Sequence, residues 1–203
     1  MIKFYTNKEL SQAFQINLAK WKRWSREFLP PDPLGGFQSG YARQYNPDEA
    51  FRVFLGGHLV GELKYTIPES RQILDDLNQW LIDHNFYLDF SDNADRMPAS
   101  NHAANYHIAI IHRNTPGSRS AGFSYWIKSV LSVESVDWEN HQIRQERIQE
   151  SSIGPAEEMP ALPDVESYCV LNINALRRIF LNCLQQITHP GIPQSSPIPG
   201  AGS

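Results

Sequence analysis

The stretch Ile16–Tyr45 reads INLAKWKRWSREFLPPDPLGGFQSGYARQY, and its first half decides how the N-terminal part folds. Asn17 is a residue type that caps helices well. Behind it Leu18, Trp21, Trp24 and Phe28 fall three, three and four apart, one stripe of a 3.6-residue helix. Lys20, Lys22, Arg23 and Arg26 fall outside that stripe. The spacing predicts a helix from Asn17 to about Glu27, with its Trp residues turned inward and its cations outward. Pro30, Pro31 and Pro33 end it, because proline cannot donate the N–H that an advancing helix needs.

Upstream, Thr6 with Glu9 three residues on forms a capping-box pattern, and Leu10, Ala13 and Phe14 give a short apolar stripe. A short helix over Asn7–Phe14 followed closely by the basic helix is a helix-turn-helix pattern. Downstream, Gly35, Gly36 and Gly40 flank Phe37 and Tyr41, and Arg43 and Tyr45 follow, which predicts a glycine-punctuated hairpin. Such a β-loop after the basic helix has the layout of a wing on a nucleic-acid backbone. Asn46-Pro47-Asp48-Glu49 opens a third helix with Ala50, Phe51, Phe54, Leu55 and Leu59 inside. Gly56-Gly57 in its middle costs about 1 kcal/mol per glycine, so close packing against another helix is expected to offset it. Thr66 and Pro68 open a fourth helix with Ile73, Leu74, Leu77 and Leu81 on one face.

This ordered set resembles the DNA-binding domain of MerR-type regulators, over Met1 to Leu81. That family places a wing with a Gly-Tyr-Arg-x-Tyr signature after its recognition helix. Here the wing reads Gly40-Tyr41-Ala42-Arg43-Gln44-Tyr45, one residue longer. Lys22 stands where the family usually has Arg and Trp24 where it usually has Tyr. Lys64-Tyr65-Thr66-Ile67-Pro68-Glu69 loosely matches the family's Gly-Phe-Ser-Leu-x-Glu region. Excisionase-like proteins share the winged fold, so the resemblance implies an architecture on DNA more strongly than transcriptional control.

From about Phe86 the texture changes. SDNADRMPASNHAAN is polar and aperiodic, a linker or long loop. YHIAIIHR, GFSYWIKSVLSVESVDW, HQIRQERIQESSI and SYCVLNI read as strands, and Asn174 is a candidate cap for the helix ALRRIFLNCLQQ. The fold class expected is α+β. A mainly helical winged helix-turn-helix over residues 1–85 and a linker over 86–105 precede a small antiparallel α+β domain over 106–187 for effector sensing or dimerisation. A Pro/Gly/Ser-rich tail over 188–203, expected to be disordered, ends the chain. Trp126, Trp138 or Tyr125 are candidates for a ligand pocket there, although an aromatic in a strand is more often core.

Composition narrows the function. Apolar residues make up 41% of the 203, and the net charge is −4. Up to Lys64 there are nine Lys/Arg against six Asp/Glu, a balance of +3; the rest carries nine against sixteen, a balance of −7. The basic part suits an anion and the acidic part does not. No run approaches ~18 consecutive apolar residues, so no membrane partner is expected. The start MIKFYTNKEL lacks the apolar region of a signal peptide, which predicts a cytoplasmic location. Cys169 and Cys183 lack C-x-x-C or zinc-ligand spacing, and His102, His107 and His112 form no ligand-spaced cluster, so no metal or other cofactor is expected. G-x-S-x-G, H-E-x-x-H, Walker A and Rossmann fingerprints are absent, and the protein is not expected to be an enzyme.

The expectation is a sequence-specific regulator that binds double-stranded DNA as a homodimer, under a small-molecule or protein effector. Lys20, Lys22 or Arg23 would meet guanine O6/N7 and Asn17 an adenine. Arg26, Tyr41, Arg43 and Tyr45 would hold phosphates. The alternative is a protein-interaction or DNA-architectural, excisionase-like module without effector sensing, its basic helix in the first case a solvated face.

Overall fold

The computed structural model describes residues 4–32, 43–87, 105–113, 122–138, 141–154 and 168–188. The predicted hairpin tip, including Phe37 and Tyr41, most of the predicted linker and the C-terminal tail lie outside the described residues.

Local sequence sets the four N-terminal helices as the spacing predicts. Strand β1 (Tyr5–Thr6) leads into α1 (Asn7–Ala13), where the Thr6 and Glu9 side chains reciprocally cap the first turn. Helix α2 (Leu18–Phe28) starts at Asn17, whose Oδ1 accepts from the backbone N–H groups of Ala19 at 2.8 Å and Lys20 at 3.3 Å. Strand β2 (Gln44–Tyr45) precedes α3 (Pro47–Gly61), and α4 (Ile67–Asp83) follows; both helices open with capping boxes, Asn46/Glu49 and Thr66/Glu69. Residues Gln15, Lys64 and Asn85, just beyond the ends of α1, α3 and α4, adopt left-handed backbone angles with φ of 55°, 63° and 55°. After α1 the reversal is closed by Gln15 N–H to the Gln12 carbonyl and Ile16 N–H to the Ser11 carbonyl.

The double glycine of α3 does not break the helix. It lies under α2, and a Cβ at residue 56 would come 2.5 Å from the Phe28 ring and one at residue 57 2.3 Å from the Trp24 ring. The predicted compensation for the two glycines is this close approach of α2 and α3. Trp21, Phe51, Leu55, Leu59, Ile73 and Leu77 are buried behind it.

Strand β2 pairs antiparallel with β1, Tyr5 opposite Tyr45 and Thr6 opposite Gln44. A second, four-stranded antiparallel sheet has the order β5-β4-β3-β6, formed by β3 (Asn105–Arg113), β4 (Gly122–Trp138), β5 (His141–Ile153) and β6 (Cys169–Asn172). Helix α5 (Ile173–Thr188) follows directly. The architecture is α+β, with five helices and two small antiparallel sheets among the described residues.

The cap of α5 differs from expectation. Asn172, not Asn174, accepts from the Ala175 N–H, at 2.9 Å. The Asn174 Oδ1 instead accepts from the Tyr106 N–H of β3 at 2.7 Å, so the neighbouring strand takes the second asparagine. The helical part and the sheet share one hydrophobic core. Phe180 of α5 stacks on Phe14 at 5.4 Å and meets Phe51 and Phe54 at 5.1 and 5.7 Å. On the sheet side, the Tyr125 hydroxyl donates to the Asp76 carboxylate of α4 at 2.6 Å. Among the described residues no helix is long and apolar enough to cross a membrane.

Candidate functional site

Helix α2 has two unlike sides. Trp21, Trp24, Ser25 and Phe28 are buried against the core. Lys20, Lys22, Arg23 and Arg26 are exposed, and Asn17 is exposed at the helix start. The Lys20 ammonium lies 4.8 Å from the centre of the Trp24 ring, which holds one cation against the helix surface. The one acid in α2, Glu27, is tied to Arg71 of α4 at 2.8 Å, so it neutralises a cation of another helix. The outer surface thus presents a cluster of positive charge on a rigid, packed support.

Two of the remaining candidates, Tyr45 and Arg43, make internal contacts. The Tyr45 side chain turns into the core, with 1% of its surface exposed. Its hydroxyl donates to Asn7 Oδ1 at 2.6 Å and lies 2.7 Å from Ser25 Oγ, whose own O–H can donate back. Burial raises the phenol above its ordinary pKa of 10.0, and the Ser25 contact and the Arg43 charge oppose that rise. Tyr45 is therefore a core residue, which corrects its expected role on a phosphate. Arg43 is also committed internally. It donates to the Pro30 carbonyl at 2.8 Å and to the Glu49 carboxylate at 3.0 Å, and its side chain is 15% exposed. Two of its five N–H groups are thus held within the protein, and the expected phosphate contact falls to the three that remain. Tyr41 lies outside the described residues.

Sequence reading missed the partners of the far end of α2. Arg52 of α3 and Arg71 of α4 both reach its last turn: Arg52 Nε donates to the Phe28 carbonyl at 2.9 Å and Arg71 Nε to the Glu27 carbonyl at 3.0 Å. These bonds span 24 and 44 residues, so no local spacing announces them. The paired prolines at 30 and 31 were the available signal, because they remove N–H donors where the helix ends.

Of the three proposed ligand aromatics, Trp126 is half-buried on β4. Tyr125 is buried with its hydroxyl on Asp76, and the side chain of Trp138 lies outside what is described. A surface cavity of about 290 Å³ runs instead along α5, lined by Asn174, Arg177, Arg178, Leu181, Asn182 and Gln185. Among the described residues no group of three or more His, Cys, Asp or Glu is placed to hold a metal ion.

No protein-family model matches the chain, and no curated protein sequence matches it.

Proposed function

We propose that the protein binds double-stranded DNA in a sequence-specific manner through the outer face of α2, as a regulator of the MerR-like winged type. The observation that carries this reading is the division of α2 into a buried Trp/Phe stripe and an exposed set of four cations whose only acidic neighbour in the helix is neutralised from α4. A helix of this kind, short and held from behind, is the form in which a major groove is read. Lys20, Lys22 and Arg23 supply donors for guanine O6/N7, Asn17, whose oxygen caps the helix, keeps its amide N–H groups for the N7 of an adenine or other purine, and Arg26 takes a phosphate. One helix of 11 residues makes few contacts, so two copies on half-sites about one helical turn apart give the required affinity.

The experiment is fluorescence anisotropy of the full chain with a duplex selected from a random pool and with a scrambled duplex, each across a range of salt. Arg23→Ala is expected to reduce the preference between the duplexes by about tenfold. Arg26→Ala is expected to weaken both alike and to lower the salt slope by about 1. Failure of the wild-type chain to bind either duplex at low salt returns the basic face to solvent and overturns the reading.

A further inference from the structure

A helix ends with carbonyl groups that have no intrahelical donor. In α2 this deficit is fixed by sequence, because Pro30 and Pro31 have no N–H to give to the carbonyls of its last turn. Three guanidinium groups converge where those donors are missing. Arg71 binds the Glu27 carbonyl through Nε at 3.0 Å and the Glu27 carboxylate through Nη2 at 2.8 Å. Arg52 binds the Phe28 carbonyl through Nε at 2.9 Å, Asn78 Oδ1 through Nη1 at 3.3 Å and the Asp75 carboxylate through Nη2 at 2.5 Å. Arg43 binds the Pro30 carbonyl at 2.8 Å and Glu49 at 3.0 Å.

Each guanidinium divides its donors between a backbone carbonyl and a carboxylate. Arg71 and Arg52 reach carbonyls of the last turn and Arg43 that of Pro30 just beyond it, while the carboxylates are Asp75 and Glu49 on other helices and Glu27 on α2 itself. Positive charge at this end also complements the negative pole of the α2 dipole. A lysine cannot reproduce this, since a single ammonium on a flexible stem does not hold two fixed directions. The Trp24 and Phe28 contacts with Gly56-Gly57 grip α2 from one side only. The Trp21 ring against Phe14 and the Ser25 hydroxyl at Tyr45 hold the middle of the helix. The clamp at the carboxyl end adds a directional restraint there, from α3 and α4 together.

We infer that Arg52 and Arg71 are positioning residues that aim the cation face of α2, and so set sequence preference without touching DNA. The inference rests on the DNA reading of α2. Base-edge contacts demand alignment of Lys22 and Arg23 with particular donors and acceptors, whereas phosphate contacts tolerate displacement. Loosening the clamp therefore removes preference and leaves general affinity in place.

The test uses the full chain carrying Arg52→Lys or Arg71→Gln, with folding at the assay temperature checked by circular dichroism. Hydrogen exchange without DNA reads the clamp directly. The amides of residues 24–29 are expected to exchange about tenfold faster, with those in the middle of α3 and α5 unchanged. Anisotropy then reads its use. The ratio of affinities for the selected and scrambled duplexes is expected to fall about tenfold, with the scrambled duplex bound as before. Unchanged exchange in both variants overturns the inference alone. So does an equal loss of affinity for both duplexes, which marks the arginines as supports of the fold or as general charge. A wild-type chain that exchanges as expected but prefers no duplex overturns the DNA reading, and the inference falls with it.

Discussion

Gly57 and Trp24 pack so closely that a Cβ on residue 57 would lie 2.3 Å from Cζ3 of the indole. Alanine usually gains about 1 kcal/mol over glycine inside a helix. Here that gain is opposed by overpacking, which costs about 1–3 kcal/mol when rigid neighbours must shift. Gly57→Ala is expected to lower unfolding free energy in urea by up to about 2 kcal/mol. Gly61→Ala serves as the control, since nothing lies within 4 Å of a Cβ there, and it is expected to be neutral or stabilising. Equal effects at the two positions would show that α2 and α3 do not touch as described.

Tyr45→Phe separates a core role from a phosphate role. The substitution removes the hydroxyl that joins Asn7 and Ser25, and Ser25 is itself buried. Stability is expected to fall by about 1–3 kcal/mol, the range for leaving a buried polar partner unmatched. DNA affinity and its salt slope are expected to stay unchanged. A salt slope reduced by about 1 would instead put the hydroxyl on a phosphate.

These two residues also mark how far the sequence could be read. The helix starts at Thr6, Asn17, Asn46 and Thr66 were legible because a cap and its partner lie within three residues, so local spacing carries the signal. The orientation of α2 was legible for the same reason, through the period of its Trp and Phe residues. Gly56-Gly57 could be read as a contact with another helix, but not as a contact with Trp24 and Phe28 in particular. The internal contacts of Arg43 and Tyr45 are not legible locally because they depend on distant acceptors: Pro30 lies thirteen residues from Arg43, and Asn7 lies 38 from Tyr45. Asn172 and Asn174 are equally good caps by type, and only the position of β3 decides between them. The union of both halves through Phe180 is likewise a long-range fact that no periodicity contains.

The turn between α1 and α2 stores a small, removable cost. Gln15 sits at φ 55°, a left-handed geometry that a side chain with a Cβ adopts at about 1 kcal/mol. Gln15 is exposed, so its replacement forfeits little packing. Gln15→Gly is expected to raise stability by about 0.5–1 kcal/mol, and Gln15→Val to lower it by more than about 1 kcal/mol. Thermal unfolding of the two variants beside the wild type checks the sign of each. A destabilised glycine variant would mean that the Gln15 side chain makes a contact worth more than the strain it causes.

Acid is expected to weaken the fold in two separable windows. Burial lowers the His58 imidazole below its ordinary 6.5, with the Glu62 charge opposing. The unfolded chain then binds that proton more readily than the folded chain. The stability due to neutral His58 is present above about pH 6.5 and is lost as pH falls through that value toward the folded pKa. The Glu69 carboxyl lies below its ordinary 4.5, chiefly because it accepts from the Thr66 backbone N–H, next from the Thr66 hydroxyl, with His112 adding its charge. Its contribution is present above about pH 4.5 and disappears as pH falls through the folded value. Melting temperatures measured from about pH 8 to about pH 3 should therefore decline in two steps. His58→Gln should flatten the first step and leave the second. Glu69→Gln should flatten the second, from a lower starting stability because its capping box is weakened. If His58→Gln and the wild type lose stability in parallel between about pH 7 and about pH 5, the imidazole titrates alike in both states. The burial assigned to it on α3 would then be refuted.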